Sequence, residues 1–553
     1  MDGSAAGGRR SRVEREGAAP PDGRADGRRA ADAALIPASL GIRLHDRSGP
    51  ATARAGLERV SAGAADGIGL ARWLAWGLVG LGALVVARLV WASRGWPLVH
   101  DAPLMHYVAW RISEGAAPYR DVFDMNFPGV YLLHLLVLRA LGPGDLAWRA
   151  FDLAWLAAGA LAAAAFASAW GRLASATAAV LFALYHLSGG AWQAGQRDFL
   201  LCPLLLAGAL GVARWIESRA RTALLWGGLA LGASVTIKPH AMALVAALGV
   251  VVALAARRAR GSVLGGLALY ISAVALVPLA IVGWVGAAGG LPAWRAIVLD
   301  YVLPLYSRLG RGAPWNVHRP EVFVPIGVGM LLTAAAALAG RRFGARHVVA
   351  VLGVLYGAAH FVVQGKGWEY HLYPLAAFAV VLLVAEIESA LRRLRRPAAV
   401  ALLLSVVLAG VLLAERALAV SPGGWERSKA EAVRRLAAEI APRLRPGETV
   451  QVLDTTAGGV HALLRLGVRQ PTRFLYDFQF FHDTDHPTIR SLRAELTRGL
   501  DARPPALIVL FELGWPAGRY ERIDTFPELA ARLARYDLVR TASDHRIYAQ
   551  RHR

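Results

Sequence analysis

Apolar runs, each about 17 to 25 residues long, recur between Leu70 and Leu413, and short Arg-rich segments separate them. As helices, such runs span a hydrocarbon core roughly 30 Å thick. Backbone polar groups in lipid must find partners inside the protein, so this pattern calls for a bundle of spanning helices. Composition agrees: 56% of residues are hydrophobic and 18% charged, where soluble domains average about a quarter charged. The runs predict spans at 71–91, 147–169, 174–188, 199–213, 222–237, 239–256, 262–287, 321–340, 346–363, 373–391 and 398–414. The expected fold is an α-helical polytopic membrane protein of about eleven spans with a C-terminal α/β domain.

Charge decides how the chain threads. A formal net charge of +22 would suit a nucleic-acid binder. However, much of the excess lies in clusters between apolar runs: Arg172, Arg214–Arg221, Arg257–Arg260, Arg341–Arg346 and Arg392–Arg396. No basic face of a soluble module stands out, and nucleic acid is not an expected partner. Such clusters mark cytoplasmic loops. One further apolar stretch, Pro128–Gly142, is short and contains His134 and Arg139. If it does not cross, a cytoplasmic N-terminus places every Arg cluster inside; if it crosses, all of them fall outside. It is therefore read as an amphipathic helix along the outer interface.

Three domains follow. Residues 1–69, of mixed charge and without apolar periodicity, read as a disordered cytoplasmic segment. Residues 70–415 form the membrane domain, with a large first outer loop, 92–146. Residues 416–553 read as an extracytoplasmic α/β domain. It has helical runs at Trp425–Ile440 and Phe526–Leu533, strand-like runs at Thr449–Asp454 and Ala506–Glu512, and closing strands near Tyr536–Arg540 and Arg546–Gln550. "DTTAGG" (454–459), ahead of a helical run, is a strand-to-helix connection with some likeness to an anion-binding turn. The single cysteine, Cys202, lies in an apolar run and reads as an inert thiol.

On this topology the outward polar groups are the candidate site. Asp101 follows the first span, and its spacing to Met105 and Val108 puts it at the start of a short helix, as a cap or as a base. The stretch "SEGAAPYRDVFDMNFPGVYLLH" (113–134) then gathers Glu114, Arg120, Asp121, Asp124 and Asn126 among prolines and aromatics. It is either substrate-binding or an ordered cap on the bundle. Lysine is a second clue. Of 61 Lys and Arg residues only Lys238, Lys366 and Lys429 are lysine, and the first two lie at outward span ends. A compact ammonium suits a phosphate oxygen; snorkelling is the alternative. Arg197 and Asp198 face the same side. Acids beside cations at a lipid-facing surface suggest chemistry on a phosphate-linked lipid. A divalent metal ion could be held by one or two of the outward histidines (His100, His106, His240, His318, His371) with Asp124 or Glu369. There is no Walker A loop, HExxH or GxSxG to suggest ATP-driven transport, zinc proteolysis or Ser hydrolysis.

These marks taken in order resemble the GT-C superfamily of membrane glycosyltransferases. They are Asp101, "AWRISEGAAPYRDVFDMNFPGVYLL" (109–133), "QRDFLLCPLLLAGAL" (196–210), "SVTIKPHAMAL" (234–244) and "KGWEYHLYPLAAF" (366–378). Within the superfamily the chain is similar to bacterial relatives of protein O-mannosyltransferases and aminoarabinose transferases. The resemblance runs from about Ala71 to Leu413. It implies a bacterial inner-membrane enzyme, a polyprenyl-phosphate-linked sugar donor, and a lipid, glycan or protein acceptor on the outer face. It also implies that Pro128–Gly142 is a juxtamembrane helix. Where such proteins often carry Asp-Glu this chain has Asp101-Ala102, and their Lys-Pro pair appears as Asn126-Phe127-Pro128.

The mechanism expected from this likeness is inverting displacement with Asp101 as general base. Asp198 joins Asp101 in the catalytic group, and with Asp121 orients sugar hydroxyls or tunes the base. Lys238, with Arg197 or Lys366, would stabilise the leaving phosphate. Asp124, Asn126, Glu369 and His371 complete the expected substrate-binding set. A flippase of lipid-linked sugars or a surface-polysaccharide ligase or polymerase is the alternative, but span interiors nearly free of acid favour an enzyme over a transporter.

Overall fold

The computed structural model describes residues 50–312, 320–515 and 518–551. Most of the segment expected to be disordered, and His318, lie outside the described residues. One compact unit comprises Ala64–Arg553. Its helices in chain order are α1 (Pro50–Ser93, in this unit from Ala64), α2 (Ala102–Ser113), α3 (Pro128–Leu141), α4 (Asp145–Ala167), α5 (Arg172–Leu187), α6 (Arg197–Ser218), α7 (Arg221–Ile237), α8 (Met242–Arg258) and α9 (Val263–Ala287). There follow α10 (Leu291–Ala296), which runs on into a π-helical turn at Ile297–Tyr306, then α11 (Pro320–Ala339), α12 (Ala345–Gln364), α13 (Tyr373–Leu383), α14 (Ile387–Leu391) and α15 (Pro397–Val420). Among the described residues nine helices are long and apolar enough to cross a membrane; α3, α5 and α7 are shorter apolar helices. Leu74, Leu84, Leu264, Leu279, Leu331 and Leu404 stand exposed on their outer faces, as a lipid-facing surface requires.

Small residues let the central helices approach closely. A Cβ on Gly211 of α6 would meet the Gly227 Cα of α7 at 2.5 Å, and one on Gly232 would meet the Val274 carbonyl oxygen of α9 at 2.2 Å. This is the close-packing device of membrane helices, where burial in water supplies no drive. The bundle has two chemically different ends. At one, Arg346 pairs with Glu217 and donates to the Phe166 carbonyl, Arg342 pairs with Glu386, and Arg392 stands near Glu388. All the Arg clusters read from the sequence as belonging together meet there. Asp101 and Lys238 lie at the other end, about 33 Å away along the 22 residues of α6. Helix α3, with 14 residues, is about 21 Å long, too short for a hydrocarbon core. Gly129 in its first turn lies against Thr236 of α7, while Leu136 and Leu141 are exposed.

The C-terminal module holds α16 (Gly424–Ile440), β1 (Val450–Leu453), α17 (Gly459–Leu466), α18 (Pro487–Ala502), β2 (Leu507–Phe511), α19 (Pro527–Leu533), β3 (Tyr536–Thr541) and β4 (His545–Gln550). The strand order is β1-β2-β4-β3, with β1 and β2 parallel and the other pairs antiparallel. The unbroken apolar run of β2 is buried on both faces, as a central strand should be. This module sits on the polar loop whose acids and prolines stood out in the sequence. The Phe123 N–H donates to the Arg473 carbonyl at 2.7 Å, Arg473 donates to the Tyr119 carbonyl, and Arg469 pairs with Glu114 at 3.0 Å. Tyr107 donates to the Val468 carbonyl and accepts from the Gln470 N–H. Much of the 113–134 stretch is thus a docking platform. The "ordered cap" reading accounts for Glu114, Tyr119 and Phe123.

Candidate active site

Asp101 precedes α2 but does not cap it: its side chain makes no bond to the helix N–H groups. The carboxylate turns instead to His100 Nδ1 at 2.9 Å and to Arg197 Nη2 at 3.7 Å. His100 holds φ at +59°, in the left-handed region that non-glycine residues enter at a cost of about 1 kcal/mol or more. Burial pushes the Asp101 carboxyl up, but His100, Arg197 and Lys238 outweigh it and hold it at about 2. It is ionised at any neutral pH.

Behind this pair lies a second one. Asp198, fully buried in the first turn of α6, accepts from Lys238 Nζ at 2.7 Å and lies 2.6 Å from His360 Nε2. Lys238 is the residue on which α7 ends, since Pro239 cannot extend the helix. Burial drives the Lys238 ammonium down, Asp198 draws it back up, Arg197 repels it, and it settles at about 8. Asp198 and Lys238 therefore fix the helix turn that presents Arg197.

Asp101 and Arg197 open onto a cavity of 360 Å³ between the membrane helices and the C-terminal module. Aromatic side chains dominate its wall: Trp192, Tyr306 and Trp368 from the membrane part, Tyr476, Phe478 and Trp515 from the module. Such a wall with a few convergent polar groups is the usual make-up of a small-molecule site. Lys366 lies beside it. Its buried Nζ sits 3.5 Å from the Tyr306 ring centroid and 5.1 Å from that of Trp368, with no hydrogen-bond partner among the described residues. Burial, then Arg197 and Lys238, push this ammonium down to about 7.

The remaining expected residues divide. Asn126 lines the cavity, and Asp124 lies just behind, accepting from the Asn126 amide at 2.9 Å. Burial raises the Asp124 carboxyl against the bonds from Tyr131 and Asn126. His371 rests among His360 and Trp368, and Glu369 faces Arg416 at 3.5 Å. Asp121 is not brought in: it accepts from Arg120 and from the Ala117 N–H near the loop surface. Asp198 and Lys238 stand behind the wall rather than on it. Sequence reasoning missed the module's share, which is Lys429, the 454–457 loop and three of the aromatics. The "DTTAGG" turn holds its own anion: the Asp454 carboxylate accepts from the Ala457, Gly458 and Gly459 N–H groups.

The described residues do not suit a metal ion. Among the described residues no three His, Cys, Asp or Glu side chains converge to hold one. Asp101 faces Arg197 and Asp198 faces Lys238, so each carboxylate already has a cationic neighbour.

No family model matches the chain, and no curated protein matches it by sequence. Solved structures do. ArnT from Cupriavidus metallidurans bound to undecaprenyl phosphate matches with a TM-score of 0.54 and 16% identity, over 86% of this chain and 98% of that one. The fold is the one ArnT has. Its apo state gives the same values. The ArnT match covers more of the chain than the membrane helices make up, so the C-terminal module shares in it. The oligosaccharyltransferase AglB from Archaeoglobus fulgidus, in complex with an inhibitory peptide and a dolichol-phosphate, gives 12% identity over 80% of this chain and 69% of that one, with a TM-score of 0.46.

Proposed function

We propose that this protein is a GT-C glycosyltransferase that moves a sugar from a polyprenyl-phosphate-linked donor to an acceptor hydroxyl. The observation that carries the reading is the Asp101–Arg197 pair opening onto an aromatic-walled cavity beside the Lys366 ammonium, which has no hydrogen-bond partner among the described residues. The ArnT fold, seen there with undecaprenyl phosphate, supports the donor class. The Arg clusters at the opposite end of the bundle support an extracytoplasmic site in a bacterial inner membrane, with the N-terminus and Arg clusters inside and the module from about residue 416 outside.

Asp101 accepts the proton of the acceptor hydroxyl as its oxygen attacks the anomeric carbon. The bond from that carbon to the phosphate oxygen breaks, its electron pair leaves on the phosphate, and the anomeric configuration inverts. A carboxylate at about 2 is a weak base. It suffices because an oxygen bonding to an electron-poor anomeric carbon becomes strongly acidic late in the reaction. Arg197 and Lys366 take up the charge growing on the phosphate. As Arg197 turns toward that phosphate it releases Asp101, whose basicity rises when it is needed. Asn126 and the aromatic wall hold the sugar.

Purified protein in detergent, supplied with polyprenyl-phosphate-linked pentoses and hexoses and with candidate acceptors, tests this. The expected result is release of polyprenyl phosphate without any second compartment. A donor left intact by every combination, yet moved across reconstituted vesicles, would replace the enzyme with a transporter.

A further inference from the structure

All three lysines of the chain stand at this cavity or directly behind it: Lys238 on Asp198, Lys366 against Tyr306, and Lys429 on the wall itself. Lys429 belongs to α16 of the C-terminal module. Its Nζ donates to the Thr456 and Ala457 carbonyls at 3.2 and 3.3 Å. An ammonium has three donors, so one is left for the cavity that Lys429 lines. Asp454, on the same loop, keeps its charge but spends its oxygens on three backbone N–H groups, and among the described residues no carboxylate lies within ion-pair distance of Lys429. Arg197 answers Asp101 and Lys238 answers Asp198, which leaves Lys366 and Lys429 without an ion-pair partner among the described residues.

We propose that Lys429 and the Thr455–Ala457 loop it holds form a second oxyanion subsite on the module's side of the cavity, apart from the Arg197 and Lys366 groups facing the leaving phosphate. Its ligand is a phosphate or carboxylate. That group arrives either on the acceptor, near the attacking hydroxyl, or as the second phosphate of a diphosphate-linked donor. Pairing the subsite with turnover rests on the transfer reaction proposed above; the anion site itself does not.

Titration of the full-length protein in detergent with inorganic phosphate, followed by ³¹P NMR, is the first arm. The wild type is expected to bind two phosphates, and Lys429→Gln to lose one of them by roughly tenfold or more in affinity. Lys429→Arg is expected to keep both. Should Lys429→Gln fail to fold for want of its loop contact, Thr456→Glu places a carboxylate beside the ammonium and is expected to remove the same phosphate. Unchanged stoichiometry and affinity in the folded variant would reduce Lys429 to a loop staple and overturn the subsite. The second arm is transfer. A KM for an anionic acceptor raised roughly tenfold in Lys429→Gln, with donor KM unchanged, assigns the anion to the acceptor; the reverse assigns it to the donor. Lys429-dependent phosphate binding with no transfer from any donor would sink the proposed function and leave the subsite standing. A lost second phosphate with both KM values unchanged would overturn its part in the reaction.

Discussion

Replacing Asp198 by Asn separates a positioning role from a catalytic one. The carboxylate is fully buried and shared between Lys238 and His360. Removing one partner of a buried ion pair costs about 3–5 kcal/mol, because the other charge is left without an answer. The lower end is expected here, since Lys238 at about 8 can shed its proton. Asp198→Asn should therefore lower stability by about 3 kcal/mol. Adding Lys238→Met, which removes the stranded charge, should recover more than half of that, a coupling that adjacent residues show and distant ones do not. pH gives a second readout. Lys238 titrates lower in the folded protein than its unfolded value of 10.5, so between those values the unfolded chain binds more protons and stability rises with pH. In Asp198→Asn the folded value falls further, and the rise should begin at lower pH. The apparent unfolding midpoint in detergent, from pH 6 to 10, measures both effects. An Asp198→Asn protein as stable as the wild type but inactive would refute the reasoning, and would put Asp198 in contact with substrate.

Asp101→Asn is expected to slow transfer by roughly 10²–10⁴-fold while shifting the unfolding midpoint little, because the side chain caps no helix; near-normal turnover would remove Asp101 from its role. Affinity for a dialkyl phosphate, singly charged at every neutral pH, should fall as pH rises through about 7, where Lys366 loses its proton, and Lys366→Arg should flatten that fall. Gly232→Val puts a side chain where a Cβ already lies 2.2 Å from the Val274 carbonyl, so destabilisation of about 1–3 kcal/mol is expected from its unfolding midpoint.

Much of the fold was legible because helix length in lipid and strand period leave few choices. The helices of the bundle, the shortness of α3, and strands β1 to β4 followed from apolar runs and their punctuation; of the eleven expected spans nine are long and apolar enough to cross among the described residues, while 174–188 and 222–237 fall on the shorter helices α5 and α7. Helix α18 did not stand out, since "PTIRSLRAELTRGLDA" is mostly polar and buries only a narrow stripe. At the site, Asp101 and Arg197 were readable as outward charges at span ends. Asp121 was over-read: local sequence cannot distinguish an acid aimed into a cavity from one paired with its neighbour Arg120. The module's contribution was hidden for the opposite reason. Lys429, Tyr476 and Trp515 reach the cavity only because the module docks on Tyr107, Tyr119 and Phe123, a contact between segments some 350 residues apart. One signal could have found Lys429: rarity. It is one of three lysines in an Arg-rich chain, and the other two had already been singled out.

The central claim is that a lipid-borne phosphate sits between Arg197 and Lys366 with Asp101 facing the carbon it carries. A cryo-electron microscopy map of the protein with polyprenyl phosphate tests this directly. The account predicts phosphate density within hydrogen-bonding distance of the Arg197 guanidinium and the Lys366 ammonium, on the cavity side of Asp101. Phosphate bound away from both cations, or with Asp101 turned from the cavity, would contradict it.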